Sequence, residues 1–386
     1  MAIVGEQVMS GGSVWAGRWS WLATAALFAA MLPGLAPATA QTTSPSQDPS
    51  SSPVPPPSAP ADTAPARPQT AQDRLTTWRK QEDRVLAIGE RISVAAANAG
   101  WCDPGQSLGW TLGEIGQYPK DLRQAVKNQW RLPEGAVLFV ASVAPDGAAA
   151  RAGITPGMAI VSLAGRSPMR NPYAMPSRHA LEASERLIAR RLENGPLQFE
   201  TLANDGTRRS WELQSRPACP TRFELSDETE EQAYADGRVV QVTAGMGTYT
   251  DGNDEELAAV MAHELAHNIL RHIARSQEAG TPNDYTRYLN RYSRVSRKME
   301  EEADRLSVWI LHIAGYTPSA PVTFWQRFGP NHDSAHPYGR LHDPWRTRVA
   351  ALEDELRLMR AALAADPQAR PALLELRHVV PIFGQP

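Results

Sequence analysis

The chain has 386 residues, with 39 basic and 42 acidic side chains and a formal net charge of −3. This length is enough for about two domains with extensions. The near balance of charge, and a sequence without a basic stripe interleaved with aromatic residues, exclude nucleic-acid binding from the expected functions.

The first forty residues are typical of an export signal. Arg18 precedes an apolar run, WLATAALFAAMLPGLAPATA, which ends in the small residues of Ala38-Thr39-Ala40. A positive flank, a short apolar core and a small-x-small end make a secretory signal peptide. We predict cleavage after Ala40 and a periplasmic protein with no stable transmembrane span. An inner-membrane anchor is the alternative, although two prolines and a glycine interrupt the run.

Residues 41–71 are rich in Pro, Ser and Ala and contain almost no large apolar side chains. Such a segment cannot bury enough surface to offset its ordering entropy, so we predict a disordered linker. Residues 72–107 follow with apolar side chains at helical spacing, which predicts a packing helix.

The sequence contains two cysteines, Cys102 and Cys219. An exported protein with an even cysteine count is expected to form a disulfide, and two buried free thiols are the alternative. The bond would close a loop of 117 residues, since 219 − 102 = 117. In the chain-entropy model such a loop stabilises the fold by about 4–5 kcal/mol.

Between the cysteines, residues 108–218 predict a strand-rich module. GAVLFVASV, beginning at Gly135, predicts a strand, and a short helix, another strand, a helix and a hairpin follow. The run SVAPDGAAARAGITPGMAIVSLAG, from Ser142 to Gly165, resembles a PDZ domain of exported bacterial proteases. That resemblance implies that LGWTL, beginning at Leu108, is the first strand, beside a groove that captures protein C-termini by strand addition. A spacer without a groove is the alternative.

Residues 219–386 contain the candidate metal-binding and catalytic residues. Val239, Val240 and Val242 predict an edge strand, and one long helix is predicted for GNDEELAAVMAHELAHNILRHIARS. Within it, His263 and His267 are four residues apart and therefore project from one helix face. Both imidazoles can bind one Zn²⁺, while Glu264, about 100° further around, is placed to act as the base.

A hydrolytic zinc site needs a third protein ligand, and the helix MEEEADRLSVWILHIAGY offers one. Glu300 and Asp304 share a face, so Glu300 can bind zinc while Asp304 holds a ligand histidine or an arginine. Glu301 and Glu302 are predicted to point elsewhere and to be solvated.

HELAH, followed 33 residues later by EEEAD, resembles metallopeptidase family 48, the gluzincins related to HtpX, BepA and the CAAX prenyl endopeptidases. The resemblance implies zinc ligands His263, His267 and Glu300, and Glu264 as base. It also implies that the strand before the active helix receives substrate as an added strand. Gln232 and Asp236-Gly237 depart from the Asn and Pro-Gly of the family.

The family's last element is a His-Pro dipeptide with an arginine six residues after its histidine. His342 precedes Arg348 at that spacing, whereas His336-Pro337 matches the family dipeptide. We favour His342, which would stabilise the oxyanion or cap the zinc, and Arg348, which would pair with Asp304. His336 stays open as the alternative.

We therefore predict an α+β protein in which a β-rich PDZ domain precedes a mostly helical gluzincin domain with a small edge-strand sheet. The predicted function is a zinc metalloendopeptidase, with one Zn²⁺ per chain, that cleaves unfolded or misassembled envelope proteins. A PDZ-led binding or chaperone protein with a silent metal site, and an aminopeptidase, are the alternatives.

Overall fold

The structure, a computed structural model, describes residues 70–173, 175–203, 205–280, 290–332 and 343–379, with only the backbone for 290–294. All of these residues lie in the unit Ala66–Pro386. The predicted signal peptide and nearly all of the predicted linker lie outside the described residues, and the domain boundaries given above stay predictions.

Helices and strands mix along the described chain, which makes the protein an α+β fold. The helices are α1 (Ala71–Asn98), α2 (Arg123–Gln129), α3 (Ala148–Arg151), α4 (His179–Leu192), α5 (Ala244–Tyr249), α6 (Asp254–Ile269), α7 (His272–Glu278), α8 (Asn290–Ile313), α9 (Ala320–His332) and α10 (Trp345–Ala365). The strands are β1 (Gly105–Ser107), β2 (Trp110–Glu114), β3 (Leu138–Val143), β4 (Ala159–Leu163), β5 (Leu197–Leu202), β6 (Arg208–Leu213), β7 (Arg216–Ala218), β8 (Arg222–Ser226), β9 (Ala233–Ala235) and β10 (Val239–Thr243). Two 3₁₀ helices, Ile115–Gln117 and Ala372–His378, complete the set. None of the described helices is both long enough and apolar enough to cross a bilayer.

Helix α1 begins at a capping box, in which Thr70 and Asp73 each accept a hydrogen bond from the backbone N–H of the other. The helix packs against strands β3, β7 and β8 and against helix α6. Its Arg84 donates to Asp254 at 2.8 Å, while its Asp83 accepts a hydrogen bond from Ser142 on β3. Helix α1 is therefore a shared packing surface for the whole described chain.

The strands of residues 108–213 form an antiparallel sheet in the order β2-β3-β4-β5-β6, with β2 at one edge. Leu181 and Ile188 of α4 pack with alternate residues of the sheet into one core. We call this part the five-stranded module. The strand and helix succession predicted from the sequence is present in it.

The ends of the five-stranded module are joined twice. Strands β1 and β7 pair antiparallel, with Gly105 opposite Ala218. Directly outside this pairing, Cys102 and Cys219 form a disulfide with their Cα atoms 5.5 Å apart. The predicted disulfide is confirmed.

A second sheet has the order β8-β10-β9, with β8 parallel and β9 antiparallel to β10. The prediction that Val239–Val242 form an edge strand is therefore wrong, because they lie in the central strand. Val239, Val240 and Val242 are all buried, as a near-continuous apolar strand between two neighbours should be. A turn at Asp236-Gly237 folds β9 back, and β9 takes the edge instead.

Helix α6 is the centre of the helical part, and it packs against α8, α9 and α1. The side chain of Asn253, the residue before α6, caps the first turn by accepting a hydrogen bond from the N–H of Glu256. Three acidic residues in that turn complement the helix dipole. Small buried residues, among them Ala258, Ala262 and Ala266, let neighbouring helices approach closely.

The prediction of one long helix through HNILRHIARS is wrong. Helix α6 ends at Ile269, and a new helix, α7, begins at His272. Between them Arg271 has φ 56° and ψ 37°, the left-handed conformation, which reverses the helical path. The second predicted helix also differs. The sequence MEEEADRLSVWILHIAGY places its start at Met299, whereas α8 begins at Asn290.

Candidate metal centre

Two packed helices bring the predicted ligands together. His263 and His267 lie on α6, and Glu300 lies on the facing side of α8. One ligand atom from each of the three residues falls within 4.8 Å of the others. All three side chains are only 15% to 20% exposed, so they meet in a shielded but accessible position.

The distances among these atoms suit a tetrahedral metal ion. Nε2 of His263 lies 3.1 Å from Nε2 of His267 and 3.2 Å from Oε2 of Glu300. Nε2 of His267 lies 3.7 Å from Oε1 of Glu300. Two ligands bound to zinc at about 2.0–2.1 Å are about 3.3 Å apart in a tetrahedron, so the donor set fits Zn²⁺.

Asp304 contacts His263 on the Nδ1 side of the imidazole, away from the proposed metal position. Its Oδ1 lies 2.9 Å from Nδ1 of His263, and its carboxylate takes two bonds from Arg348, at 2.7 and 2.6 Å. Burial alone would raise the pKa of Asp304, but Arg348 and His263 outweigh it and hold the pKa at about 2. Arg348 in turn stacks on Trp325, with its guanidinium 3.7 Å from the ring centroid. Asp304 therefore contacts both the histidine and the arginine that the sequence analysis gave as alternatives.

These carboxylates make the site strongly attractive to positive charge. Burial lowers the pKa of the His263 imidazole, but Asp304 and Glu300 outweigh burial and raise the pKa to about 10. A cation placed between the carboxylates is thus stabilised, and a divalent metal ion satisfies the same demand.

The second histidine has a different support, which the sequence analysis missed. Nδ1 of His267 lies 2.9 Å from Nδ1 of His272, and Nε2 of His272 lies 3.2 Å from Glu302. Arg275 donates to the same Glu302 at 2.7 Å. Burial, the largest cause, lowers the pKa of His272 to about 4, so this imidazole is neutral near pH 7.

Glu302 corrects the expectation that both intervening glutamates are solvated. Its side chain is 4% exposed and is paired with Arg275, whereas the side chain of Glu301 is 51% exposed. The sequence offered one signal for this support, a third histidine in the pattern HExxHxxxxH followed by a run of acidic residues. That pattern does not predict the helix break at Arg271, which places His272 next to His267.

Glu264 follows His263 on α6, is partly buried and lies in the electrostatic reach of Arg348. His342 and the alternative His336 lie outside the described residues. The roles of Glu264, His342 and Arg348 in catalysis stay predictions.

Edge strand β9 runs beside the helix that carries the histidines. Oδ1 of Asn268, the residue after His267, accepts a hydrogen bond from the N–H of Gly237 at 2.7 Å. Asp236 caps the same turn by accepting from the N–H groups of Arg238 and Val239. The departure from Pro-Gly at this turn therefore retains a tight hairpin, with Gly237 at φ 91°.

Two histidines and a glutamate converge from two helices, with a second glutamate beside them, and this arrangement is the one that HExxH metallohydrolases use to hold a metal ion. Residues 198–290 match Peptidase family M48. The matched segment contains the HELAH helix and ends before Glu300.

Two curated proteins to which this chain is similar are named as peptidases. The chain is 27% identical over 154 residues to the Mitochondrial metalloendopeptidase OMA1 of Arabidopsis thaliana, covering 33% of this chain and 31% of that protein. It is 29% identical over 130 residues to the Beta-barrel assembly-enhancing protease of Escherichia coli (strain K12), covering 26% of each. The chain thus spans about a quarter to a third of the length of these relatives. The match of residues 198–290 to Peptidase family M48 and the similarity to these two relatives support a peptidase.

Proposed function

We propose that this protein is an exported zinc metalloendopeptidase that hydrolyses peptide bonds in unfolded or misassembled envelope proteins of the periplasm. The observation that carries the proposal is the convergence of His263, His267 and Glu300 at distances that suit zinc, with Glu264 on the same helix. The relatives named a metalloendopeptidase and an assembly-enhancing protease favour internal cleavage and this substrate class.

His263, His267 and Glu300 would hold the zinc ion, which when bound would supply Lewis acidity at the site. Glu264 accepts the proton of the attacking water and returns it to the leaving amine, the work of a general base and acid. Asp304, fixed by Arg348, holds the imidazole of His263 in one orientation. His342 is the proposed donor to the oxygen on which negative charge develops.

Substrate would bind as an extended segment along β9. This strand has one edge paired to β10 and contacts α6, so an added strand would pass close to the histidines. Tyr234, 43% exposed on the same strand, would contact the substrate's side chains.

The five-stranded module is proposed to be a PDZ domain that assists recognition through protein C-termini. Its edge strand β2 and the helix α4 lie together, as the two walls of a peptide groove would.

The test compares wild-type protein with Glu264→Gln, using casein as an unfolded substrate and measuring bound zinc on the same samples. Wild type should hold one zinc ion and cleave casein, while the variant retains zinc and loses about 10²–10⁴-fold in rate. Glu278→Gln, at an exposed glutamate on α7, is the matched control and should cleave normally.

Mapping the product termini separates the enzymatic alternatives. Internal cuts support an endopeptidase, whereas stepwise loss of N-terminal residues would indicate an aminopeptidase. Stoichiometric zinc without any cleavage by wild type would instead favour the PDZ-led binding protein with a silent site.

A further inference from the structure

We propose that His272 is a positioning residue for the metal centre, holding the imidazole of His267 so that its Nε2 faces the metal. The proposal rests on the zinc site of the proposed function and adds a residue that neither the family pattern quoted above nor the sequence spacing assigns. Three observations carry it: a helix break, a buried contact between imidazoles and a closed ion pair behind them.

The helix break places His272 where a continuous helix would not. Residues five apart on an α-helix differ by about 140° around the axis, so His272 would face away from His267. Arg271 instead adopts the left-handed conformation, and α7 starts in a new direction. Non-glycine residues avoid this conformation unless their surroundings impose it, and such outliers cluster at functional sites.

The contact between the imidazoles fixes the tautomer of both rings. Because Nε2 of His267 faces the metal position, its Nδ1 carries the proton and donates to Nδ1 of His272, 2.9 Å away. His272 then carries its own proton on Nε2 and donates to Oε2 of Glu302 at 3.2 Å. A metal-ligating histidine requires such an acceptor to hold its ring plane and tautomer.

Glu302, which contacts His272, is itself held in a buried ion pair with Arg275. Both side chains are 4% exposed and are 2.7 Å apart, so the carboxylate is fixed and its charge is compensated. Arg275 is itself anchored by the carbonyl of Val379 at 2.9 Å. His272, 3% exposed, therefore has little freedom to rotate, and it transmits that rigidity to His267.

The two nitrogens of His272 allow a sharp test. In His272→Asn, the amide oxygen replaces Nδ1 and still accepts from His267, while the contact with Glu302 is lost. In His272→Gln, the amide replaces Nε2 and still donates to Glu302, while the contact with His267 is lost. His312→Gln, at an exposed histidine on α8, is the matched control for removing an imidazole.

The measurement is the zinc dissociation constant of each full-length mature protein, by competition with a chromophoric chelator, beside the melting temperature of the metal-free form. We expect His272→Gln to bind zinc about 10–100-fold more weakly, and His272→Asn to stay within about threefold of wild type. His312→Gln should match wild type.

A purely structural role would give a different pattern. If both variants lower the melting temperature of the metal-free protein yet bind zinc as wild type does, His272 does not position His267. Equal weakening in Asn and Gln would also overturn the proposal. If wild type itself binds no zinc, the proposed function fails, and that outcome is distinct from either of these.

Discussion

The two histidines that we propose as metal ligands contact different groups through their Nδ1 atoms. Nδ1 of His263 faces a carboxylate, Asp304, whereas Nδ1 of His267 faces a neutral imidazole, His272. An anionic acceptor raises the electron density of an imidazole more than a neutral one does, so His263 should be the stronger donor to a metal ion. Behind each histidine a buried arginine pairs with a buried carboxylate: Arg348 with Asp304, and Arg275 with Glu302.

Glu82 carries a prediction about pH. Burial, with a smaller contribution from Asp83, raises the pKa of this carboxyl to about 7 in the folded protein. Because the folded pKa lies above the ordinary glutamate value of 4.5, Glu82 costs no stability at low pH and destabilises the fold as pH rises from about 4.5 to 7. Glu82→Gln should therefore raise the free energy of unfolding by about 1–3 kcal/mol at pH 8 and leave it unchanged at pH 4.

Urea unfolding of both proteins at the two pH values measures this difference. Glu212→Gln, at an exposed glutamate on β6, controls for the loss of one negative charge. A Glu82→Gln variant that is equally stabilised at pH 4 and pH 8 would contradict a raised pKa for this carboxyl.

Among single residues, the sequence predicted those with regular helical spacing and missed those whose position depends on the break between α6 and α7. His263, His267, Glu300 and Asp304 follow from spacings of four within two helices, which hold as long as the helices are regular. The support from His272 depends on one left-handed residue, Arg271, and no local pattern predicts that an arginine adopts it.

At the scale of the elements, Asn268 joins the helix of the histidines to the turn of the edge strand. Its side chain accepts from Gly237 on one side and donates to Thr221 on the other, at 3.4 Å. Removing the acceptor in Asn268→Ala frees the turn that positions β9. Since one hydrogen bond is worth about 1 kcal/mol, KM for peptide substrates should rise about fivefold while bound zinc is unchanged.

Asn268→Asp is the conservative comparison, because its carboxylate still accepts from Gly237 and should retain most of the affinity for substrate. Steady-state kinetics on a peptide substrate give KM and kcat separately. A fall in kcat with constant KM in Asn268→Ala would show that the contact serves the reaction rather than the strand.

The errors made for the elements share a physical reason. The valines from Val239 to Val242 predict a strand, yet the pairing of β8 and β9 on its two sides is set by long-range contacts. The polar stretch before Lys298 contains few apolar side chains, but the backbone from Asn290 onward continues the helix that packs on α6. Local patterns identified these segments and could not place their neighbours.

At the scale of the whole molecule, α1 and the disulfide connect parts that are far apart in sequence. Helix α1 contacts the five-stranded module, the second sheet and α6, and Cys102 follows it closely. The bond closes a loop with a sequence separation of 117 residues. Replacing both cysteines with serine should lower the free energy of unfolding by about 2–5 kcal/mol, because the unfolded chain gains entropy.

Equilibrium unfolding of the double variant, beside wild type with and without a reductant, checks this value. The reduced wild type should resemble the double variant. If the double variant is as stable as oxidised wild type, the disulfide contributes nothing to the fold.

The central claim is that one zinc ion at His263, His267 and Glu300 makes this protein a peptidase. The most direct measurement is a titration of the metal-free mature protein with Zn²⁺, following casein cleavage and bound zinc together. We expect no cleavage without metal and a rise in activity that levels off at one zinc ion per chain. Cleavage by fully metal-free protein, or a protein saturated with zinc that never cleaves, would contradict it.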